Sequence, residues 1–467
     1  MRSHYERVLV LLAVIAVWGL SGCGDDGTAP ESVIITGPSS TRQGDLTAYT
    51  AEVRDASGTV VSEPSLTWSV EPSSAGLITD EGEFVGYAPG SATIVASTNG
   101  VSDALAVTID ARALSGSFEL VGRGIEVDRF TSDLWVHGNY AYTGTFIVRG
   151  TVPGNTLFVW DVSTPAAPVR TDSVKIDAIT VNDVKVRADG AIAVVTHENS
   201  GDGLNGITLL DLADPAHPTV ITRYTDGLEA GVHDVWVEGS FVYAALDGFD
   251  ATTGGLAIID ISTSATPQTV ARFYAGSSFL HDVYVRDGLA FLSHWDAGLV
   301  ILDVGNGIAG GSPSNPTEVS RVITAGRQTH NAWYWPQAGY VFVGEEDFDT
   351  PGIVHVVDVS DLGVPVEVAS FSVTGVPPHN FWMDEARGIL YVAWYQTGIR
   401  ALDVSGRLLG ELDRQGREYT ALQYDGPGGG CVSGTGTCNW APQLHNGLIY
   451  LSDLNTGLWV FMVTTSN

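Results

Sequence analysis

The chain has 467 residues, too many for one ordinary domain unless much of it is a single repeat array. Its 54 acidic and 22 basic residues give a formal net charge of −32, which argues against nucleic acid as a partner because phosphate backbones are repelled. Hydrophobic residues make up 44% of the chain, enough for sizeable cores, and 55 glycines with 20 prolines indicate many tight turns.

The N-terminus is typical of an exported protein. Two arginines precede an apolar run over residues 8–20, which is too short to span a bilayer comfortably. The run ends in Leu20-Ser21-Gly22-Cys23, which resembles a bacterial lipobox. The resemblance implies a signal peptide over 1–22, a lipid on Cys23 and a tether over 23–30. We therefore expect a lipid anchor in a membrane of the bacterial cell envelope, at the outer membrane or cell surface; a plain signal peptide with an accidental cysteine is the alternative.

Residues 31–110 have the pattern of a small all-β domain. Short alternating strands are separated by Gly, Ser and Pro turns, which predicts a β-sandwich. The segments 66–70 (LTWSV) and 82–94 (GEFVGYAPGSATI) resemble a bacterial Ig-like domain of group 2 (BIG2). The resemblance implies that Trp68 is the core tryptophan and that the domain serves as a spacer or an adhesive stalk.

Residues 115–467 contain a repeat. Six short apolar segments each end in aspartate, at intervals of 50, 49, 43, 55 and 45 residues. These residues are Asp161, Asp211, Asp260, Asp303, Asp358 and Asp403. Four short strands in each unit of that length predict a β-propeller blade, and the aspartates are expected to cap the turns that follow them. The segment 299–303 (LVILD) and its sister segments resemble the LVIVD repeat of bacterial and archaeal surface proteins, which implies a propeller without a settled activity.

The repeat count predicts the architecture of this region. The first strands of seven units are expected to begin at Asp133, Asp183, Asp234, Asp282, Asn331, Asn380 and Asn439. The seventh unit has no fourth strand after it, and residues 116–122 offer one at the front of the domain. We therefore expect an all-β chain, in which an Ig-like sandwich precedes a seven-bladed propeller closed by strand 116–122. Six blades are the alternative.

Histidines accumulate at one mouth of the predicted channel. Connections before the first strand and after the second strand of a blade lie on the same face of a propeller. The candidate ligands there are His233, His281, His330 and His379 before first strands, and His197, His294 and Glu345 after second strands. Imidazole and carboxylate together suit a transition metal, while the neighbouring acidic loops suit calcium, although none has the EF-hand spacing.

The same histidines have a structural interpretation. A histidine repeated by duplication can hydrogen-bond within its own blade and needs no ligand. Imidazoles that converge favour a site, whereas imidazoles that stay within their own blades favour structure. The remaining cysteines, Cys431 and Cys438, flank a short flexible loop and predict a local disulfide, with a metal pair as the alternative.

Two functions follow from these patterns. The first is a non-enzymatic binding or adhesion platform for an envelope protein or a polysaccharide. The second is a metal-dependent, lactonase-like hydrolase with its histidines at the channel mouth. Phosphate-binding loops, His-Glu-x-x-His motifs and Gly-x-Ser-x-Gly elbows are absent from the sequence.

Overall fold

The computed structural model describes residues 29–276, 279–348, 352–424, 431–432 and 435–466. The predicted signal peptide, the lipid on Cys23 and most of the predicted tether lie outside these residues. Within the described ranges, no helix is long and apolar enough to cross a membrane. Almost all the regular structure is β-strand, so the predicted all-β class is confirmed.

The N-terminal module contains nine strands and one short 3₁₀ helix at Ser73–Ala75. The strands are Pro30–Thr36, Ser40–Arg42, Leu46–Ala48, Thr50–Asp55, Thr67–Glu71, Gly76–Ile78, Glu83–Gly86, Gly90–Thr98 and Val101–Asp110. They form sheets of four, three and two strands around one core, in which Trp68 packs with Phe84 and Ile94. The Ig-like class of this module stays a prediction.

The described residues after this module form seven sheets of four antiparallel strands, the fifth of which gains a short parallel strand, and one separate two-stranded sheet. We number the seven larger sheets 1 to 7 in chain order. Sheets 1 to 3 consist of Phe130–His137, Tyr140–Phe146, Thr156–Asp161 and Val169–Lys175; Val184–Val186, Ile192–His197, Gly206–Asp211 and Thr219–Tyr224; and Val232–Glu238, Phe241–Asp247, Gly254–Asp260 and Gln268–Phe273. Sheets 4 and 5 consist of Asp282–Arg286, Leu289–Ser293, Leu299–Asp303 and Thr317–Val322; and Thr329–Trp335, Tyr340–Glu345, Ile353–Asp358 and Val366–Ser372. Sheets 6 and 7 consist of Phe381–Asp384, Ile389–Ala393, Ile399–Asp403 and Glu418–Leu422; and Asn439–His445, Leu448–Asp453, Gly457–Ser466 and Ser115–Ile125.

Three short strands and a 3₁₀ helix lie in connections between these strands. They are Val148–Arg149, Val152–Pro153, Gly410–Glu411 and the helix Leu412–Arg414. The second and third strands of each sheet are largely buried on both faces, because neighbouring sheets pack face to face. First strands of successive sheets contact each other in a closed order, with that of sheet 7 against that of sheet 1. This arrangement is a β-propeller.

Sheet 7 joins the two ends of the propeller region. Ser115–Ile125 pairs antiparallel with Gly457–Ser466, so a segment that precedes sheet 1 supplies the outer strand of the last sheet. Phe118 packs its ring against Phe461 of the same sheet and Tyr391 of sheet 6. Because the first and last segments share a sheet, the last sheet has no unpaired edge where the chain ends.

The six repeated aspartates cap turns. Each carboxylate accepts a hydrogen bond from the backbone N–H two residues later, at distances of 2.7–3.0 Å. This is the Asx turn that the sequence pattern predicts, since a short carboxylate side chain reaches its own backbone two residues on. These aspartates lie at the face opposite to the histidines, where the third strand of each sheet ends.

Aromatic rings close the central channel. Two residues after the opening Asp or Asn, five sheets place an aromatic side chain on the axis: Trp135, Trp236, Tyr284, Trp333 and Trp382. Their ring centroids are 4.6–5.9 Å apart around a closed circuit. The cavity that these rings and the opening Asp and Asn residues line holds only 60 Å³. The mouth is therefore a closed depression and does not lead into an open channel.

The N-terminal module docks on the far face of sheet 6. The buried Arg112 guanidinium donates to Asp403 at 2.6 Å and to Asp45 at 2.8 Å, and Arg417 donates to the Gly44 carbonyl. The Gln43 amide spans the junction to the Arg414 carbonyl at 3.0 Å. Asp403 ends the third strand of its sheet, so this junction lies on the face opposite to the histidines.

Candidate metal centre at the propeller mouth

Four histidines from successive sheets form one row at the mouth. His233, His281, His330 and His379 each lie at the start of a first strand, and neighbouring sheets bring their rings together. Successive ring centroids are 4.3, 4.0 and 4.4 Å apart. The imidazoles converge on one another, which is the arrangement that favours a site.

The two middle histidines are poorly satisfied. Among the described residues, neither ring nitrogen of His330 has a hydrogen-bond partner, although this side chain is only 1% exposed. The His281 Nδ1 atom is equally without one, and the His281 Nε2 atom lies 3.0 Å from the His233 Nε2 atom. A buried polar atom without a partner costs about 1–3 kcal/mol, so this part of the row is suited to an added ligand.

His379, the last histidine of the row, has a hydrogen bond to the backbone. The His379 Nδ1 atom donates to the Trp440 carbonyl at 2.7 Å, and the two rings pack 4.3 Å apart. Burial lowers the pKa of His379 to about 3, so this ring stays neutral. His379 therefore has a structural hydrogen bond that the middle histidines lack.

One carboxylate completes a possible ligand set. The Glu346 Oε2 atom lies 3.7 Å from the His330 Nε2 atom, and the Tyr395 hydroxyl donates to the same carboxylate. Ligand atoms of His281, His330 and Glu346 all lie within 4.8 Å of one another. Burial raises the pKa of Glu346 to about 7. Two imidazoles and one carboxylate are a donor set that zinc accepts in catalytic sites.

His233 connects this set to two further carboxylates. Its Nδ1 atom is 3.1 Å from Glu198 and 3.6 Å from Asp247, while its Nε2 atom faces His281. Burial alone would lower the pKa of His233, but the two carboxylates outweigh it and raise the pKa well above 6.5. Carboxylates commonly orient an imidazole in this way beside a metal.

The middle histidines titrate in the opposite direction. Burial, reinforced by neighbouring imidazoles, lowers the pKa of both His281 and His330 well below 6.5. Both rings are therefore neutral at neutral pH, the form in which imidazole binds a metal. The row combines a charged histidine at one end with neutral donors beside it.

Two aromatic residues beside the row have an unusual backbone conformation. Trp295 stacks on His281 with ring centroids 5.6 Å apart, and Tyr395 lies 4.9 Å from His379. These two residues follow the second strands of sheets 4 and 6 and have φ of +37° and +40°. Bulky residues rarely adopt the left-handed region, and such conformations concentrate at functional sites.

A pocket of 580 Å³ opens beside the row. It is lined by Phe249, Phe279, His281, Trp295, Asp296 and Glu346. A volume in this range is typical of small-molecule sites. The candidate ligand set thus has space for a substrate on one side.

The other predicted ligands lie away from the row. The His197 Nε2 atom lies 2.6 Å from the Thr208 Oγ1 atom of the adjacent strand, and His294 is buried beside Tyr274. The buried Glu345 contacts His355 at 3.2 Å, a histidine that the sequence did not single out. Successive strand residues point to opposite sides, so the acid that reaches the histidines is the next residue, Glu346.

Two other groups of acidic residues are less suited to a metal, because their carboxylates have partners within the protein. Asp133, Asp183 and Asp234 meet on the axis, but the Lys185 ammonium lies among them. In the acidic loops, Asp202 pairs with Arg223 at 2.7 Å, and Asp250 accepts hydrogen bonds from its own loop. Calcium at these loops stays a prediction.

The predicted cysteine pair is close in space. Cys431 and Cys438 are joined by a disulfide with Cα atoms 5.3 Å apart. Cys438 lies just before the first strand of sheet 7, the place that histidines take in sheets 3 to 6. The disulfide therefore lies on the same face as the histidine row.

Comparison with known families identifies the repeats. The LVIVD repeat matches residues 128–175, 201–226, 231–274 and 280–324. The chain carries LVIVD repeats. No protein with a curated description matches it. Among solved structures, the computationally designed protein Ika8 is similar, with 12% identity over 74% of this chain and 100% of that chain and a TM-score of 0.47.

Proposed function

We propose that this LVIVD-repeat protein is a metal-dependent hydrolase of the bacterial cell envelope. The observation that carries the proposal is the pair of buried, poorly partnered imidazoles of His281 and His330 beside the Glu346 carboxylate. These three side chains would hold a zinc-like divalent ion and leave a coordination position open toward the pocket. Such an ion polarises a carbonyl and activates a water molecule for attack.

The neighbouring residues have roles that suit this chemistry. The Glu198 and Asp247 carboxylates hold His233 with its Nε2 atom directed at the metal ligands, so His233 is placed to move a proton there. Tyr395 donates to Glu346 and fixes the orientation of that carboxylate. Trp295 covers His281 and limits the access of bulk water.

The anchor and the mouth belong at opposite ends of the protein in this proposal. A lipid on Cys23 would hold the chain at the membrane, and the N-terminal module that follows is docked on the far face through Arg112 and Asp403. The mouth would then point away from the membrane. In this proposal the module would act as a support that is held to the propeller by the buried hydrogen bonds of Arg112.

A binding platform is the second candidate function. Two aromatic side chains at the mouth, Phe249 and Phe348, are 73% and 64% exposed. Exposed aromatic rings favour contact with a partner such as an envelope protein or a polysaccharide. Recognition of this kind would not require the ligand set of the histidine row.

Zinc binding by the tag-free soluble chain, begun after Cys23, tests the proposal. We expect one zinc per chain by elemental analysis. His330→Leu and Glu346→Gln should each weaken zinc binding in calorimetry at least about 100-fold, because the first removes a ligand and the second replaces a carboxylate with a weaker, neutral oxygen donor. His217→Ala is the matched control, since this histidine is exposed and outside the row. A wild-type protein that binds no zinc, or variants that keep it, would overturn the metal site.

Hydrolysis is tested separately from metal binding. A panel of neutral and cationic esters and lactones should be cleaved by the zinc-loaded protein and not after chelation. His233→Gln should reduce kcat while zinc remains bound, because it removes the proton-transfer group and leaves His281, His330 and Glu346. Zinc binding without any hydrolysis would reject the enzyme and leave the binding platform.

A further inference from the structure

We propose that the pocket beside the histidine row binds an organic cation, with its ammonium group over the faces of Phe249, Phe279 and Trp295. The inference deepens the proposed function, on which it rests only for the placement of the scissile bond near the metal ligands. The ligand class that fits is an ester of a small amino alcohol with a substituted ammonium group.

The aromatic wall is continuous. The Phe279 ring lies 5.7 Å from Phe249, 6.1 Å from Trp295 and 5.4 Å from His233. Trp295 in turn stacks on His281 at 5.6 Å. Aromatic faces carry partial negative charge and attract substituted ammonium groups within about 6 Å of the ring centroid. The wall therefore leads directly from a cation-binding surface to the histidine row.

The charges around the wall select the sign of the ligand. The pocket lining includes Asp296 and Glu346, and the Glu198 and Asp247 carboxylates together outweigh the single positive charge of the neighbouring His233. None of the six lining residues is lysine or arginine. The whole chain carries a formal net charge of −32. Anionic ligands are therefore repelled from this mouth, and cations are concentrated there.

The position of the pocket fits one orientation of such an ester. With the ammonium group on the aromatic wall, the ester carbonyl would extend toward His281 and Glu346, which line the same pocket. Hydrolysis would add water across the ester bond, with hydroxyl to the acyl carbon and a proton to the leaving alkoxide. The products are a carboxylic acid and the free amino alcohol, and no oxidant or other co-reactant is needed.

The test compares choline with its uncharged isostere, 3,3-dimethyl-1-butanol, by isothermal titration calorimetry on the full soluble chain. Both probes are titrated into zinc-free protein and into zinc-loaded protein. We expect choline to bind at least about tenfold more tightly than the neutral isostere. Trp295→Leu and Phe279→Leu should each weaken choline binding by about tenfold, and Ile308→Ala, an exposed residue in the loop after Asp303 on the opposite face, should leave it unchanged.

A third variant separates charge from shape. Asp296→Asn should weaken choline binding severalfold and leave the neutral isostere unaffected. Equal affinity for the two probes, or unchanged choline binding in both aromatic variants, would overturn the inference. Choline preference in a protein that binds no zinc would support this inference and refute the metal centre. Zinc binding without a preference for choline would support the metal centre and refute this inference.

Discussion

Two clusters of titratable side chains lie in the central part of the propeller, one on the axis and one at the mouth, and they differ in how their buried polar groups are satisfied. The axial cluster consists of Asp133, Asp183, Asp234 and Asp282 around Lys185. The mouth cluster consists of His233, His281, His330, His379 and Glu346. Both clusters contain three ligand atoms within 4.8 Å of one another, so distance does not distinguish them.

The two clusters differ in whether their buried polar atoms have hydrogen-bond or ion-pair partners. The Lys185 ammonium bonds to Asp183 and lies 3.4 Å from Asp133 and 3.8 Å from Asp234. Asp183 and Asp234 also accept backbone N–H groups from the next sheet, at 3.0 and 3.1 Å. The axial cluster thus contains its own cation and connects the sheets, whereas neither ring nitrogen of His330 in the mouth cluster has a hydrogen-bond partner among the described residues. Two clusters with similarly close titratable groups therefore differ: the axial one is satisfied by its own residues, and we propose that the mouth one is completed by a metal ion.

Removal of Lys185 should have the largest effect. Lys185→Met keeps the length of the side chain and leaves the Asp183 carboxylate buried without its cation. The free energy of unfolding should fall by about 3–5 kcal/mol at neutral pH, measured by guanidinium denaturation with tryptophan fluorescence. Adding Asp183→Asn to this variant should restore part of the loss. A loss below about 1 kcal/mol would mean that the axial carboxylates do not depend on an internal cation.

Much of the fold follows from local sequence signals. The aspartates that end third strands, such as Asp161 and Asp260, accept a hydrogen bond from the backbone N–H two residues later. Because the interaction is local, each aspartate indicates its turn independently of the rest of the chain. The spacing of those turns predicts the propeller class. The strand that completes sheet 7 could be sought because a last unit with three strands leaves an edge.

The site depends on information that the sequence pattern does not carry. The four histidines share a register, but only the packing of successive sheets brings the His281 and His330 rings within 4.0 Å. The choice of Glu346 over Glu345 depends on which of two adjacent side chains faces the mouth. The sequence pattern did not single out Lys185, whose partners Asp183 and Asp133 are 2 and 52 residues away in the chain.

Asp282 of the axial cluster should make stability depend on pH in a direction opposite to His281 and His330 at the mouth. Burial raises the pKa of Asp282 from 3.8 to about 8, and the nearby Asp183 and Asp133 raise it while Lys185 and His233 lower it. The folded protein therefore holds a proton that the unfolded chain releases, and stability is lost as pH rises from about 4 to about 8.

Asp282→Asn isolates the contribution of Asp282 to the pH dependence of stability, because an amide stays neutral between about pH 4 and pH 8. Wild type and variant should be equally stable near pH 4, and the variant should be more stable by up to about 5 kcal/mol above pH 8. Denaturation at several pH values measures the difference. A difference that does not change with pH would show that Asp282 titrates normally.

A smaller effect tests how the mouth cluster is oriented. Tyr395→Phe removes the hydroxyl that donates to Glu346 and keeps the ring, which packs 4.9 Å from His379. Zinc affinity should fall about three- to tenfold, as is common when a group that orients a metal ligand is lost. Tyr391→Phe is the matched control, because its hydroxyl accepts a hydrogen bond from Arg387. Equal zinc affinity in both variants would exclude an orienting role for Tyr395.

The smallest expected change in stability is the most informative about the mouth cluster. If His330 were structural, as a repeated histidine in a propeller can be, His330→Leu would cost about 1–3 kcal/mol. Because neither ring nitrogen has a partner among the described residues, we expect the zinc-free variant to equal wild type or to gain up to about 1 kcal/mol. The gain should grow as pH falls below 6.5, since burial lowers the pKa of His330 and the unfolded chain then binds the extra proton. Denaturation in the presence of a chelator measures this difference, and a loss above about 2 kcal/mol would return the histidine row to a structural role.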